Sequence, residues 1–277
     1  MFSLNCNGKF LLAEKPLVMG ILNITDDSFF KDSRLNSPDE VLKKASQMIE
    51  EGADILDVGG QTTRPGSQRV SAKDEIRKVV PIIHLLKEHF SETIISIDTY
   101  HSEVAVASVA AGASIVNDIS GGEMDKNMIK VVAGLKVPYV CMHMKGVPET
   151  MHLDTNYKNV LQEVLDYFIQ KVDECKQAGI KDVVIDPGFG FGKDIQQNLF
   201  LLKNLKVFKM LEKPILCGLS RKSTIYKTLK VTAQDALNGT TVLNTLAIQN
   251  GAGILRVHDV KEAVEVIKLM KVVEESE

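Results

Sequence analysis

Three short apolar runs of this sequence each lead to a residue that accepts hydrogen bonds, namely Asp98, Asn117 and Asp186. Carboxylate and amide oxygens accept N–H donors, so this set suits a flat heterocycle with several such donors. The run Val183–Asp186 is the most distinctive, because a Pro and three glycines at alternate positions follow it. Glycines let the main chain turn sharply and approach a ligand. On this segment alone, a ligand pocket and a helix-capping turn are equally good interpretations.

Cationic side chains follow two later apolar runs, at Lys222 and at Arg256 and His258. Such donors suit phosphate oxygens, and an Arg can also bind an oxyanion in a bidentate manner or stack on a ring. Asn23 ends the first long apolar run, and its carbonyl could ligate Mg²⁺, which prefers oxygen ligands and bridges to substrate phosphates. The two groups together predict a site for a ring that carries phosphate.

Familiar catalytic motifs do not explain these residues. A dinucleotide fingerprint counted from Gly188 would need glycine at Lys193, and a P-loop would need glycine at Pro187 and a hydroxyl residue at Asp194. The sequence has no H-E-x-x-H or Cys/His spacing for zinc and no G-x-S-x-G element of a serine hydrolase. The predicted site therefore depends on side chains gathered from distant segments.

Eight strand–helix units account for the pattern along the chain. Continuous short apolar runs, rather than alternating ones, indicate parallel strands covered on both faces. Helices are predicted after them, for example from Pro38 to Gly52, over Ala72–His89 and over Tyr157–Ala178. Residues 1–277 are therefore predicted to form one domain, a (β/α)₈ barrel, with residues 1–16 as an N-terminal β-hairpin that turns at Asn7-Gly8. A doubly wound open sheet is the alternative, but it would place its ligand at one switch point.

In a barrel, the polar residues at the strand ends converge on one mouth. These residues are Asn23, Asp98, Asn117, Asp186, Lys222, Arg256 and His258. A single Asp after a strand is usually a helix cap, but polar groups on six strands are hard to explain by capping alone. The alternative for Arg256 and His258 is an ion pair with Asp259 or Glu262 on the rim.

Composition narrows the class of protein. The chain of 277 residues is 44% hydrophobic and 25% charged, which is typical of a globular protein with a sizeable core. A net charge of -3 argues against a broad nucleic-acid-binding surface. The four cysteines form no C-x-x-C pair, so buried free thiols are expected. We predict a cytoplasmic protein, because Met1–Leu12 lacks the features of a signal peptide, and no membrane spans, because no apolar segment of 18 residues occurs.

Six short motifs, in order along the chain, resemble those of dihydropteroate synthases. They are Met19–Thr25, Asp57–Gly60, Thr62–Gly66, Asp186–Lys193, Ser220–Ser223 and Arg256–Asp259. The resemblance runs from about Leu17 to the final helix. It implies a transferase of folate biosynthesis that condenses (dihydropterin)methyl diphosphate with p-aminobenzoate and releases diphosphate. It also implies a Mg²⁺ requirement, a homodimer and sulfonamides as competitors.

The resemblance carries roles onto individual residues. Asp98, Asn117, Asp186 and Lys222 are similar to the pterin-binding groups, and Asn23 resembles the magnesium ligand. Arg256 is similar to the residue that stacks on the pterin and also meets phosphate. The residues that resemble diphosphate contacts are Thr62, Arg256 and His258, and those of the p-aminobenzoate region are Arg64, Pro65, Phe191 and Ser223. The catalytic set implied in this way is Asp98, Asp186, Lys222, Arg256 and His258.

Two departures and two rival interpretations accompany the resemblance. The first loop, residues 24–36, lacks the Pro and the closing glycines that the family commonly has, and Gln61 stands where the family usually has Glu. Activity is expected to survive, since neither change touches the pterin or diphosphate groups.

The rival interpretations of the function are a corrinoid-dependent methyltetrahydrofolate methyltransferase domain and a non-catalytic pterin-binding protein. The first would not need the cationic set, and the second would be expected to have lost Asn23, Lys222 or Arg256.

Overall fold

The computed structural model describes residues 1–24, 37–61, 69–148, 150–151 and 155–276. Its main sheet has eight parallel strands, and the two strands at its edges are Val183–Asp186 and Leu216–Cys217. A parallel bridge between Ile185 and Ile215 joins the two edges, and Ile185 N–H donates to the carbonyl of Pro214 at 3.0 Å. The sheet is therefore a closed barrel, and the predicted (β/α)₈ fold is confirmed.

The barrel strands are β3 Leu17–Asn23, β4 Ile55–Gly59, β5 Ile94–Asp98, β6 Ile115–Asp118, β7 Tyr139–Met142, β8 Val183–Asp186, β9 Leu216–Cys217 and β10 Ile254–Val257. The helices are α1 Pro38–Glu50, α2 Ala72–His89, α3 Ser102–Ala110, α4 Met128–Leu135, α5 Val160–Ala178, α6 Ile195–Lys203, α7 Ser223–Leu229, α8 Leu237–Gln249 and α9 Val260–Glu275. Short 3₁₀ helices cover Leu205–Leu211 and Gln234–Ala236. The seventh barrel strand is shorter than the predicted run, because only Leu216 and Cys217 pair with β10.

Local sequence explains where the elements begin and turn. The N-terminal hairpin pairs β1 Phe2–Cys6 with β2 Lys9–Ala13, and Asn7 and Gly8 both have positive φ, at 54° and 89°. Two consecutive left-handed residues suit the right-handed twist of the two strands, which is why Asn-Gly predicted this turn. At α1 the hydroxyl of Ser37 accepts a hydrogen bond from the N–H of Glu40. The predicted helix start is therefore confirmed.

Two apolar layers hold the barrel together. The larger one lies between the strands and the helices and includes buried side chains such as Leu22, Phe168 and Phe208. The smaller one joins the hairpin residues Leu4 and Cys6 to inward-facing residues near the strand starts, which include Met19, Ile55, Ile94, Val140, Val184 and Leu216. The hairpin thus packs at the amino-terminal end of the barrel and leaves the carboxyl end for a site. That the whole chain is one domain stays a prediction.

All four cysteines are buried free thiols, as predicted. In the described part of the chain, no helix is both long enough and apolar enough to cross a membrane.

Candidate active site

Polar side chains from neighbouring strands lie at one level of the barrel. Asn23 pairs in register with Gly59, Gly59 with Asp98, and Asp98 with Asn117. A Cβ added at Gly59 would lie 3.4 Å from Asn23 Oδ1 and 3.5 Å from Asp98 Cβ. The glycine therefore lets these two side chains flank the same strand end.

Arg256 of β10 joins this group through two carboxylates. Its Nε donates to Asp57 Oδ2 and its Nη2 donates to Asp98 Oδ2, both at 2.6 Å. Asp57 Oδ2 also accepts from Asn117 Nδ2 at 3.0 Å, which leaves Asn117 Oδ1 to accept from a ligand. The rim ion pair with Asp259 is therefore wrong for Arg256. The acid that holds it is Asp57, a fully buried residue of β4.

The charges of this cluster reinforce one another. Burial favours the neutral form of Arg256, but the carboxylates of Asp57 and Asp98 outweigh it and raise the pKa of the guanidinium. Burial also raises the pKa of Asp98, and Arg256 opposes that rise. We take the pair as ionised, since a 2.6 Å contact between a guanidinium and a carboxylate is a strong charge-assisted hydrogen bond. Asp57 Oδ1 is a buried oxygen without a hydrogen-bond partner in the described structure, so it is a further acceptor.

His258 is held by Ser220. Its Nδ1 lies 3.0 Å from Ser220 Oγ, and its backbone N–H donates to the same oxygen. Asp259 instead forms a two-bond ion pair with Arg221, at 2.7 and 2.8 Å. Burial and then the charge of Arg256 lower the pKa of His258 to about 4. The histidine predicted as a cationic donor is therefore neutral at pH 7 in this site.

Ser220 is compatible with either tautomer of a neutral His258, because its hydroxyl can donate to Nδ1 or accept from it while it accepts the backbone N–H of His258. When Ser220 donates to Nδ1, the proton of the neutral ring lies on Nε2. In that tautomer the uncharged ring offers an N–H donor that suits an anion.

Asp186 ends β8 and begins the glycine-rich turn. Its Oδ1 accepts the N–H of Gly188 at 2.8 Å. Gly188 has φ +69°, and a Cβ there would lie 1.9 Å from the carbonyl oxygen of His143, so only glycine fits. Burial raises the pKa of Asp186, while the ammonium of Lys222 and the Gly188 N–H oppose the rise. The helix-capping interpretation is wrong for Asp186, because the N-cap of α6 is Asp194, and Asp186 instead lies among the site charges.

Lys222 connects the turn to the cationic side of the mouth. Its Nζ donates to the carbonyl of Phe189 and lies 4.7 Å from the centre of the Phe191 ring. A Cβ at Gly218 would lie 3.6 Å from Lys222 Nζ and 3.9 Å from Arg256 Cβ, so the two cations are neighbours. Burial lowers the pKa of Lys222 to about 8, and Asp186 opposes that shift. Lys222 is therefore charged at pH 7.

Apolar side chains line the same end of the barrel. A small cluster groups residues that follow strands β5 to β8, namely Tyr100, Ile119, Met142, Met151 and Phe191. Acceptors, cations and an apolar wall together suit a flat polar ring linked to an anion.

Several predicted site residues have no described geometry. Thr62, Arg64 and Pro65 lie outside the described residues, as do residues 25–36 of the first loop. Ser223 is described as the half-buried first residue of α7, directly after Lys222. The structure thus brings together Asn23, Asp98, Asn117, Asp186, Lys222, Arg256 and His258, while the loop residues remain predictions.

Gln61 belongs to a hydrogen-bond network that the sequence did not predict. Its Nε2 donates to Glu75 Oε2 at 2.7 Å, and its Oε1 accepts from Tyr100 Oη at 2.7 Å. An amide can donate to Glu75 and accept from Tyr100, whereas an ionised Glu at this position could only accept. Glu75 is fully buried, and burial raises its pKa to about 7.

Glu75→Gln should remove a pH dependence of stability. The raised pKa means that folding favours protonated Glu75, so its contribution is present below pH 4.5 and lost as pH rises to about 7. The stability of the variant relative to wild type should therefore increase by roughly 2–3 kcal/mol between pH 5 and pH 8. Denaturant melts at the two pH values measure this. The same change of unfolding free energy with pH in both proteins would contradict this prediction. The control is Glu103→Gln, which replaces an exposed carboxyl on α3.

Comparisons with known proteins agree with this geometry. A family model described as pterin binding enzyme matches residues 19–258. The dihydropteroate synthase of Clostridium beijerinckii is 41% identical over 268 residues, which cover 96% of this chain and 97% of the relative. The chain belongs to the dihydropteroate synthase family of pterin-binding enzymes.

Solved structures of dihydropteroate synthases share the whole fold. The Yersinia pestis dihydropteroate synthase, solved with a sulfonamide drug complex, superimposes with a TM-score of 0.95 at 35% identity, covering 99% of this chain and 100% of that one. The Xanthomonas albilineans enzyme was solved with 4-aminobenzoic acid, with TM-score 0.91, 36% identity and 99% coverage of both chains. It was also solved with 7,8-dihydropteroate, with TM-score 0.88, 34% identity and 100% coverage of both chains. The barrel of this chain is therefore the fold of the dihydropteroate synthase family.

Proposed function

We infer that this chain is a dihydropteroate synthase of folate biosynthesis. It joins (7,8-dihydropterin-6-yl)methyl diphosphate to p-aminobenzoate and releases diphosphate. The observation that carries this conclusion is the cluster of Arg256, Asp57, Asp98 and Asn117, which places acceptors for a ring and a cation for a phosphate within one hydrogen-bonded unit. Relatives of the same fold solved with 4-aminobenzoic acid and with 7,8-dihydropteroate support it.

The pterin is proposed to lie among the acceptors. Asp186, Asp98 and the Oδ1 of Asn117 accept from the amino-pyrimidine edge and ring N–H groups, which are donors. Lys222 donates to the ring on the opposite side. The planar guanidinium of Arg256 is fixed by two carboxylates, so it can stack on the ring at little entropic cost.

The diphosphate is proposed to meet Arg256, Thr62 and the Nε2–H of His258. A neutral His258 costs little to bury before the substrate arrives, and an adjacent anion raises its pKa once bound. Arg256 supplies the permanent positive charge. Breaking the C–O bond moves an electron pair onto diphosphate, and these donors stabilise the charge that develops there.

The reaction is proposed to be an SN1-like substitution. Loss of diphosphate leaves positive charge on the pterin methylene, which the fields of Asp98 and Asp186 stabilise. The neutral amine of p-aminobenzoate then forms the new C–N bond and loses a proton. No strong general base is needed, because the nucleophile has a free lone pair at pH 7.

p-Aminobenzoate is proposed to bind beside Phe191 and Ser223, together with Arg64 and Pro65. Phe191 offers an apolar face next to the Lys222 ammonium. Sulfonamides would compete for the same place, as the sulfonamide complex of the Yersinia relative supports.

Magnesium is proposed as the cofactor, with Asn23 as its protein ligand. Asn23 offers an oxygen ligand beside Asp98, and the described residues contain no cluster of three or more His, Cys, Asp or Glu that could hold a metal. One oxygen ligand fits Mg²⁺, which keeps waters and completes its coordination with substrate phosphates. When bound, the ion would neutralise charge on the leaving diphosphate.

Asn23→Ala should raise the Mg²⁺ concentration that substrate binding requires. The loss of one oxygen contact of about 1.5 kcal/mol to a charged group corresponds to a Mg²⁺ requirement on the order of 10-fold higher. Calorimetry of pterin diphosphate binding at a series of Mg²⁺ concentrations measures the shift. An unchanged Mg²⁺ midpoint would contradict the ligand role of Asn23.

A homodimer is proposed from the surface of the last two helices. Val242 and Leu246 of α8 are exposed, as are Leu269, Val272 and Val273 of α9. Exposed apolar side chains on two helices that pack together are typical of a protein interface, and a second copy of this chain is the proposed partner. The cytoplasmic location stays a prediction, to which the buried free thiols lend support.

Formation of 7,8-dihydropteroate from the two substrates tests the proposed function. A methyltransferase domain would instead transfer a methyl group from methyltetrahydrofolate and make no dihydropteroate. A non-catalytic binding protein would bind the pterin diphosphate by calorimetry and leave it intact.

A further inference from the structure

Lys193 is a buried lysine directly beneath the glycine-rich turn. Lys193 is only 7% exposed. Its Nζ donates to the carbonyls of Gly188 and Phe191, each at 3.0 Å, and lies 2.9 Å from His143 Nδ1 and 3.3 Å from the His143 carbonyl. One ammonium therefore ties the start and the end of the turn to the end of β7.

A buried ammonium is retained only where polar groups compensate for its lost hydration. Burial lowers the pKa of Lys193 to about 7, and the field of Asp186 opposes the shift. His143 is neutral, because burial and then the charge of Lys193 lower its pKa. Its Nδ1 can therefore accept from the ammonium, and the two carbonyls of the turn accept the remaining hydrogens.

The turn needs such an anchor because of its conformation. Gly188, Gly190 and Gly192 all have positive φ, so the segment cannot form a helix or a sheet ladder. Gly190 N–H is held by Asn198 Oδ1, and the Phe191 N–H by the Gly188 carbonyl. Lys193 adds bonds to the carbonyl groups of Gly188 and Phe191, and thereby fixes the plane of the peptide beside the Phe191 ring.

The main chain of Asp186 is anchored independently of Lys193. It lies in the β8 strand, paired in register with Met142 of β7, and its carbonyl accepts the N–H of His143 at 2.9 Å. The main chain at Asp186 is thus held by the sheet, whereas the main chain at Phe191 is held by the turn.

We propose that Lys193 is a positioning residue that fixes the turn so that the Phe191 ring meets the second substrate. The inference rests on the proposed function, because it assigns Phe191 to the p-aminobenzoate side. Lys193 itself does not touch the substrates. Its effect should therefore appear in the binding of one substrate and not of the other.

Lys193→Met keeps an unbranched side chain out to Cε and removes the ammonium. The KM for p-aminobenzoate should rise about 10-fold, below the roughly 100-fold that a 1 Å misplacement can cost. The Kd for the pterin diphosphate and kcat at saturating p-aminobenzoate should stay within about threefold of wild type. Steady-state kinetics and calorimetry give the three values.

Lys171→Met is the matched control. Lys171 is 8% exposed, and its ammonium is bonded to carboxylates of Glu123 and Glu174 rather than to the turn. This variant should lower the melting temperature without changing the KM for p-aminobenzoate. A merely structural role of Lys193 would give the same result in both variants.

His143→Leu provides a second variant if Lys193→Met folds poorly. It keeps the lysine but removes its ring acceptor, so the KM for p-aminobenzoate should rise by about threefold. An unchanged KM in both variants, or an equal loss of pterin diphosphate affinity, would overturn the role of Lys193. Wild type that makes no dihydropteroate would overturn the proposed function instead, so the two failures are distinguishable.

Discussion

Asp186→Ala should abolish pterin diphosphate binding, with a Kd at least about 100-fold higher than that of wild type. The carboxylate is 5% exposed and its pKa is raised by burial, so its hydrogen bonds to a ligand form in a site from which water is largely excluded. Each charge-assisted bond contributes about 1.5–3 kcal/mol. Titration calorimetry with the pterin diphosphate measures the loss.

Asp118→Asn is the control for this prediction. Asp118 is also a buried carboxylate at a strand end, but its oxygens accept only from within the protein, from Ser120, Gly122 and Tyr139. The variant should lower the melting temperature and leave the pterin diphosphate Kd within about threefold of wild type. Near-normal affinity of Asp186→Ala would show that Asp186 does not bind the pterin diphosphate.

Arg256→Met should lose both activity and stability. The removal of one preorganised donor to the leaving group should lower kcat by a factor on the order of 100–1000. The variant also leaves Asp57 as a fully buried carboxylate without its 2.6 Å partner, and breaking a buried pair costs about 3–5 kcal/mol. Denaturant melts and steady-state kinetics measure the two losses separately.

The double variant Asp57→Asn with Arg256→Met separates the two roles. A neutral amide at position 57 needs no counter-charge, so most of the lost stability should return. Activity should not return, because no cation faces the diphosphate. Recovery of kcat together with stability would show that Arg256 acts only by supporting the fold.

The fold could be predicted because its signals are local. Short apolar runs between helical segments predicted the strands of the barrel. The pair Asn7-Gly8 predicted the hairpin turn, and Ser37 before Pro38 marks the start of α1. The level of the site followed from parallel pairing, since Asn23, Gly59 and Asp98 end successive strands in register.

The partners of the site residues could not be predicted, because they come together only across the closed barrel. Asp57 lies inside an apolar run and reads as part of a buried strand, yet it meets Arg256, which is 199 residues away. Lys193 and His143 are 50 residues apart, and only the turn between β8 and α6 brings the ammonium to the ring. His258 was likewise predicted to be a cation, but burial and the nearby Arg256 lower its pKa to about 4.

The most direct test mixes wild type with (7,8-dihydropterin-6-yl)methyl diphosphate, p-aminobenzoate and Mg²⁺, and measures diphosphate and dihydropteroate together. We expect one diphosphate to be released for each dihydropteroate formed, and a sulfonamide to compete with p-aminobenzoate. Bound pterin diphosphate that remains intact, without release of diphosphate, would contradict it.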